Sequence, residues 1–223
     1  MKKAVIFDFN GTMFFDSDFH EKAWNITAEN LIGRPLTLNE MNDIMGRSNE
    51  FILEYIFKRK PTKQEVDEIG YQKEELYRKL VLQSTPKKSL AEGVTDILDG
   101  LKEKNISFTI ATSSEIENVK FYFDYFNISK WFKIDEIVYN NGDIAGKPKP
   151  DIYLKACERL DVNPSDAVVF EDSVSGVKSA KSAKIGKIYA VLSSNNEEAL
   201  KNENPYKIIS SFREVSDIAD LLK

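Results

Sequence analysis

Apolar and polar positions change rhythm along the chain. Residues 4–9 (AVIFDF) form a short, apolar, β-rich run that predicts a buried strand, and Asn10-Gly11 follows at once as a turn. Over residues 16–85 the rhythm becomes helical. Ser17 to Leu31 predicts a helix whose apolar set is Phe19, Ala23, Trp24 and Ile26. Thr37-Leu-Asn-Glu40 and Thr62-Lys-Gln-Glu65 are capping boxes, so a helix is expected after each, the second ending near Gln83. Ser48 is placed to cap another through Phe51, Ile52, Tyr55 and Ile56. From Ser89 helices and strands alternate. The pattern predicts helices over 93–103, 115–126, 150–160 and 174–183, with strands over 106–112, 134–139, 167–171 and 187–192. A strand near 207–209 and a terminal helix from Phe212 close the chain.

Strands spaced by helices imply an α/β fold with a parallel sheet covered on both faces. The helical stretch reads as an insert after the first strand. The expected organisation is a core of residues 1–14 and 89–223 and a helical domain over 15–88. The connections are expected at Phe14–Ser17 and Thr85–Leu90.

The 223 residues are 42% hydrophobic and 30% charged, with a net charge of −5. That balance disfavours non-specific nucleic-acid binding and gives no membrane-surface pattern. No apolar run is long enough to span a bilayer, and the run after Met1-Lys2-Lys3 is too short for a signal-peptide core. Cys157 is the single cysteine, so no internal disulfide can form. A reducing cytoplasm fits, with Cys157 as a buried structural thiol.

In a doubly wound sheet, ligands bind outside the carboxyl ends of the strands. The predicted strand ends carry Asp8-Phe-Asn10-Gly-Thr12, then Thr112-Ser113-Ser114, then Lys147 in Gly146-Lys-Pro-Lys-Pro-Asp151, then Glu171-Asp172-Ser173. Asp8, Glu171 and Asp172 on one rim would repel one another unless a cation sits among them, and hard oxygen ligands suit Mg²⁺. A carboxylate can attack phosphorus to give an aspartyl-phosphate. Mg²⁺ and Lys147 would neutralise the charge, while the Thr112 hydroxyl and the amides opening the next helix cradle the phosphate. Each residue also has a plainer reading. Asp8 can satisfy turn donors, Thr112 and Ser114 can cap the following helix, Lys147 can lie on the surface, and Glu171-Asp172 can cap the helix after them. Their joint occurrence in order at four strand ends is poorly explained by caps.

These residues resemble the four ordered motifs of the haloacid dehalogenase superfamily: Asp8-Phe-Asn-Gly-Thr12, Thr112, Lys147 and Glu171-Asp172. The resemblance spans essentially the whole chain and implies a Rossmann-like core with an inserted α-helical cap. Asp16-Ser-Asp-Phe-His20-Glu-Lys-Ala-Trp24 and Gly46-Arg47-Ser48 are similar to the beta-phosphoglucomutase and small sugar-phosphate phosphatase branch. The resemblance implies that Asp8 is the nucleophile. It implies Mg²⁺ held by Asp8, the Asn10 carbonyl and Asp172, with Glu171 close by. It further implies that Thr112, Ser113, Ser114 and Lys147 bind the phosphoryl group and that His20 and Arg47 contact or position the substrate. For His20 a solvent-facing polar residue is an equal reading. Lys73 reads as a solvated helix position and Trp24 as packing. The expected enzyme is a monomeric phosphatase of a small phosphorylated metabolite, acting on neither nucleic acid nor membrane. A mutase and a binding relative with impaired turnover are the alternatives.

The match breaks at Asn10, where the family's phosphatases and mutases carry a second aspartate for proton transfer. An amide has no titratable proton at neutral pH. Four readings stand open: slow catalysis, proton transfer by another group such as His20, an introduced inactivating change, or deamidation at Asn10-Gly11.

Overall fold

The computed structural model describes residues 2–194, 196–215 and 218–221. It separates into two units, Met1–Phe15 with Ser89–Lys223, and Asp16–Lys88. In chain order the elements are β1 (Ala4–Phe7), α1 (Ser17–Ile32), α2 (Leu38–Ile44), α3 (Asn49–Phe57), α4 (Lys63–Leu82) and α5 (Val94–Glu103). They continue with β2 (Ser107–Ile110), α6 (Ile116–Phe126), α7 (Asp151–Leu160), β3 (Ala167–Glu171), α8 (Val174–Ser182), β4 (Lys187–Val191), α9 (Glu197–Asn202), β5 (Lys207–Ile209) and α10 (Ile218–Leu221).

The first unit is the expected α/β fold. Its described strands form one parallel sheet in the order β2-β1-β3-β4-β5. Strand side chains alternate between faces. Ile6, Val169 and Ile188 join Tyr153, Ala156, Val177 and Ala180 of α7 and α8 in one apolar cluster. Phe7 and Phe170 turn the other way and stack on each other at 5.2 Å, with Phe212 5.0 Å from Phe170. Every residue of β1 and β3 is buried, which is why both read as unbroken apolar runs. β1 lies between β2 and β3, so the chain leaves it in opposite directions. Such a reversal opens a crevice above the strand end, and Asp8 follows that end.

The second unit is helical. Thr37 and Thr62 each complete a capping box, with Glu40 and Glu65 returning to the cap amide, and Ser48 accepts from Phe51 N. Trp24, Ala28, Met41, Ile44, Ile52 and Leu53 form its apolar centre.

Two expected elements differ. The strand over 134–139 is instead a 3-10 turn, Ile134–Glu136, followed by a single bridge from Val138 to Ala111. Val138 N–H donates to Ile110 O and its carbonyl accepts from Thr112 N–H, so the apolar run gains one rung beside β2 and no ladder. The terminal helix expected from Phe212 opens as a 3-10 turn, Phe212–Glu214, and is α-helical over Ile218–Leu221, while its positions 216–217 and 222–223 lie outside the described residues. Ser211 and Glu214 form a capping box there, and Phe212 is buried against β1 and β3.

Candidate active site

The end of β1 delivers Asp8 and the end of β3 delivers Glu171 and Asp172. One carboxylate oxygen from each lies within 4.8 Å of the others. Lys147 Nζ is 2.6 Å from both Asp8 Oδ1 and Glu171 Oε2, and its side chain is buried although Pro148 and Pro150 follow closely in the chain. Burial alone would lower the Lys147 ammonium, but the charges of Asp8 and Glu171 outweigh it and hold the group well above the usual lysine range. Glu171 is pushed upward by burial, and Lys147 reverses that and keeps its carboxyl below the ordinary range. Glu171 Oε2 also accepts from the Tyr153 hydroxyl, and Oε1 accepts from Ser173 N–H and Oγ–H. Burial and then Glu171 raise the Tyr153 phenol. Asp172 accepts from Thr12 Oγ1 at 3.4 Å and from Ser193 Oγ at 3.2 Å.

Two glycines make room for these carboxylates. A Cβ on Gly11, whose φ is +75°, would lie 2.0 Å from Asp172 Oδ2. One on Gly176 would lie 1.9 Å from Glu171 Cδ. The cap of α8 is Ser173, whose Oγ accepts from Gly176 N–H, so Glu171 and Asp172 do not serve as caps.

After β2, Thr112 Oγ1 accepts from Ser114 N–H at 3.1 Å. Ser114 Oγ does not cap α6. It donates to Asn10 Oδ1 at 2.7 Å, and the N-cap of α6 is Glu115, which makes no side-chain cap bond. Thr112 Oγ1 is 3.5 Å from the same Asn10 oxygen. Asn10 Nδ2–H donates to the Tyr122 hydroxyl at 2.7 Å. Ser113 is exposed between them.

His20, Arg47 and Lys73 belong to the helical unit. His20 Nδ1 lies 2.8 Å from Lys73 Nζ, its Nε2 is 3.4 Å from Asp16 Oδ2, and its ring stacks on Tyr77 at 4.0 Å. Each ring nitrogen therefore faces a charged side chain within this unit. Lys73 is no solvated position. It is 2% exposed, bonded to Glu74 at 2.9 Å and seated over the Trp24 ring. Its long apolar stem lets it pack in a helix face that reads as polar. Arg47 is exposed, with its guanidinium over the Phe51 ring.

Sequence reading does not single out Tyr153, Ser193 or Tyr122, and it places Ser173 at a strand end without giving it a role. Tyr153 and Tyr122 fall at apolar helical positions and read as core. A buried phenol nonetheless requires a polar partner, and that requirement was the available clue. Cys157 is buried, and burial pushes its thiol up to about 11.

The donor set, three buried or half-buried carboxylates with an ammonium bonded to two of them, fits a hard divalent cation bound through oxygen. No helix among the described residues is long and apolar enough to cross a membrane.

Comparison with known proteins adds an independent line. The family model for haloacid dehalogenase-like hydrolases matches residues 2–184. A phosphorylated carbohydrates phosphatase of Thermotoga maritima is 33% identical over 199 residues, covering 87% of this chain and 88% of its own. A beta-phosphoglucomutase of Bacillus subtilis is 33% identical over 193 residues, covering 81% of this chain and 80% of its own. Among solved structures, a haloacid dehalogenase hydrolase of family IA, variant 3, from Entamoeba histolytica superposes with a TM-score of 0.91 at 36% identity, covering 100% of this chain and 98% of that one.

Proposed function

Starting from the fact that the chain belongs to the haloacid dehalogenase-like hydrolases, we propose that it is a Mg²⁺-dependent phosphatase of a small phosphorylated sugar, acting through a phospho-Asp8 intermediate. The observation that carries this reading is the meeting of Asp8, Lys147, Glu171 and Asp172 above the sheet.

Asp8 attacks phosphorus, an Oδ–P bond forms and the ester O–P bond breaks, the leaving alkoxide taking its proton from solvent water. Water then attacks the same phosphorus, releasing phosphate and restoring the carboxylate. Lys147 holds Asp8 in place and offers its positive charge to the phosphoryl oxygens. Glu171 and, through it, Tyr153 and Ser173 hold Lys147. The Thr112 hydroxyl and the Ser113 amide are assigned to the phosphoryl oxygens, while the Ser114 hydroxyl is committed to Asn10. Asp8, Asp172 and the Asn10 carbonyl are assigned to Mg²⁺, with Glu171 bordering it. When bound, the ion supplies further neutralisation of the reacting oxygens. The Asn10 carbonyl is independent of its side chain, so the amide leaves this donor intact while giving the departing alcohol no proton.

Phosphate release from a panel of sugar phosphates tests the reading. Asp8→Ala should abolish release with the fold retained. Asn10→Asp should accelerate release by at least about tenfold, in line with general acid–base contributions of ~10²–10⁴. Wild-type rates in Asp8→Ala would remove the nucleophile, and equal rates in Asn10→Asp would show that residue 10 carries no proton. The similarity to a beta-phosphoglucomutase favours a second reading, transfer back to the sugar. Products from beta-glucose 1-phosphate, with and without a bisphosphate primer, separate the two.

A further inference from the structure

The side chain of Asn10 is bound at both ends. Nδ2–H donates to the Tyr122 hydroxyl and Oδ1 accepts from Ser114 Oγ, each at 2.7 Å. The Ser114 and Tyr122 hydroxyls lie 3.3 Å apart. The three groups can therefore close a ring in which each donates once and accepts once, the polarity an amide provides. Tyr122 is 1% exposed, and its ring stacks on Phe9 at 4.1 Å with an interplanar angle of 16°. Phe9 is itself fully buried and precedes Asn10 in the chain. The ring is thus anchored to packed aromatic groups that have nowhere to move.

An asparagine followed by glycine is open to a known chemical loss. The Gly11 nitrogen attacks Asn10 Cγ, so that an N–Cγ bond forms, the Cγ–Nδ2 bond breaks and ammonia leaves. Water then opens the succinimide to aspartate or isoaspartate. The reaction needs a free Gly11 nitrogen and a side chain able to rotate onto it. Here Gly11 N–H donates to Phe14 O at 2.7 Å, and the space beside Gly11 is filled by the Asp172 carboxylate.

We propose that Tyr122 and Ser114 are positioning residues that keep residue 10 an amide: their ring with Asn10 fixes its direction and holds Cγ away from the Gly11 nitrogen. The folded protein therefore keeps asparagine at this position. The inference goes beyond the phosphatase reading and is independent of activity.

The test is peptide mass spectrometry of the full chain during incubation at mildly alkaline pH. The conversion of Asn10 is followed in wild type, Tyr122→Phe, Ser114→Ala and the urea-unfolded chain. Asn141-Gly142 lies on an exposed loop and is the internal reference. Unfolded chain should convert Asn10 readily and folded wild type far more slowly. Each variant should convert Asn10 up to about tenfold faster than wild type, the factor one lost hydrogen bond can supply. Asn141 should keep the same rate in all folded proteins. The Asn10 side-chain amide protons in isotope-labelled spectra should also exchange faster in both variants, which lost packing alone would not single out. Phenylalanine keeps the stack on Phe9, and Ser114→Ala decides the matter should Tyr122→Phe not fold. Folded wild type converting Asn10 as fast as unfolded chain would overturn the proposal. So would folded variants with wild-type conversion and unmoved amide protons.

Discussion

Glu171 shows how much a single side chain organises. Lys147, Tyr153 and Ser173 all donate to it, and it sits fully inside the core. Tyr153→Phe keeps the ring and removes one donor. Hydrogen bonds to charged groups are worth about 1.5–3 kcal/mol, so this variant should lose roughly that much in urea unfolding. A midpoint equal to wild type would show that the contact contributes nothing. The pH signs follow from the directions of the shifts. Glu171 is held below its ordinary value, so its stabilisation is present above the usual carboxylate range and lost as pH falls through its folded value. Lys147 is held above its ordinary value, so its share is present below the usual lysine range and lost as pH rises past its folded value. Neutral pH keeps both. At this scale sequence reading found the charged residues but not their partners, because a tyrosine in an apolar stripe looks like any other core residue.

Among the elements, α8 carries the sharpest conflict between local and tertiary preference. Alanine is favoured over glycine in a helix by about 1 kcal/mol. At Gly176, however, the new methyl would meet Glu171 Cδ at 1.9 Å. That carboxylate cannot swing away without breaking its bonds to Lys147, Tyr153 and Ser173. Overpacking typically costs 1–3 kcal/mol, so the clash wins and Gly176→Ala should destabilise the protein by roughly that amount in denaturant unfolding. A more stable Gly176→Ala would mean that Glu171 relocates cheaply. Helix starts were legible where a local code wrote them, at Thr37, Ser48 and Thr62. The code misled at Ser114, whose hydroxyl is drawn to Asn10, more than a hundred positions away in the chain. It also overstated 134–139, where Ile137 and Val138 are buried without pairing beyond one bridge and Ile134 is exposed.

For the whole molecule, the carboxylate cluster makes a thermodynamic demand. Carboxylate oxygens of Asp8, Glu171 and Asp172 lie close together, with the Lys147 ammonium bonded to the first two. A cation that binds only the folded state stabilises it by about 2.7 kcal/mol at a hundred times its Kd. Mg²⁺ should therefore raise the thermal midpoint of the wild type, and Asp172→Ala should abolish most of that rise. An unchanged midpoint at saturating Mg²⁺ would argue against a cation site here. The sequence by itself determined the class of the fold, since unbroken apolar runs separated by amphipathic stretches have few ways to bury themselves other than as a parallel sheet between helices. It also determined which residue types stand at the strand ends. Only the tertiary structure decided which of them touch: that Lys147 bridges Asp8 and Glu171, that Tyr153 and Ser173 complete that group, that Lys73 is buried, and that Asn10 is clasped by Ser114 and Tyr122. The reason is range. Periodicity and capping act over a few residues, whereas these contacts depend on the register in which distant strands pair.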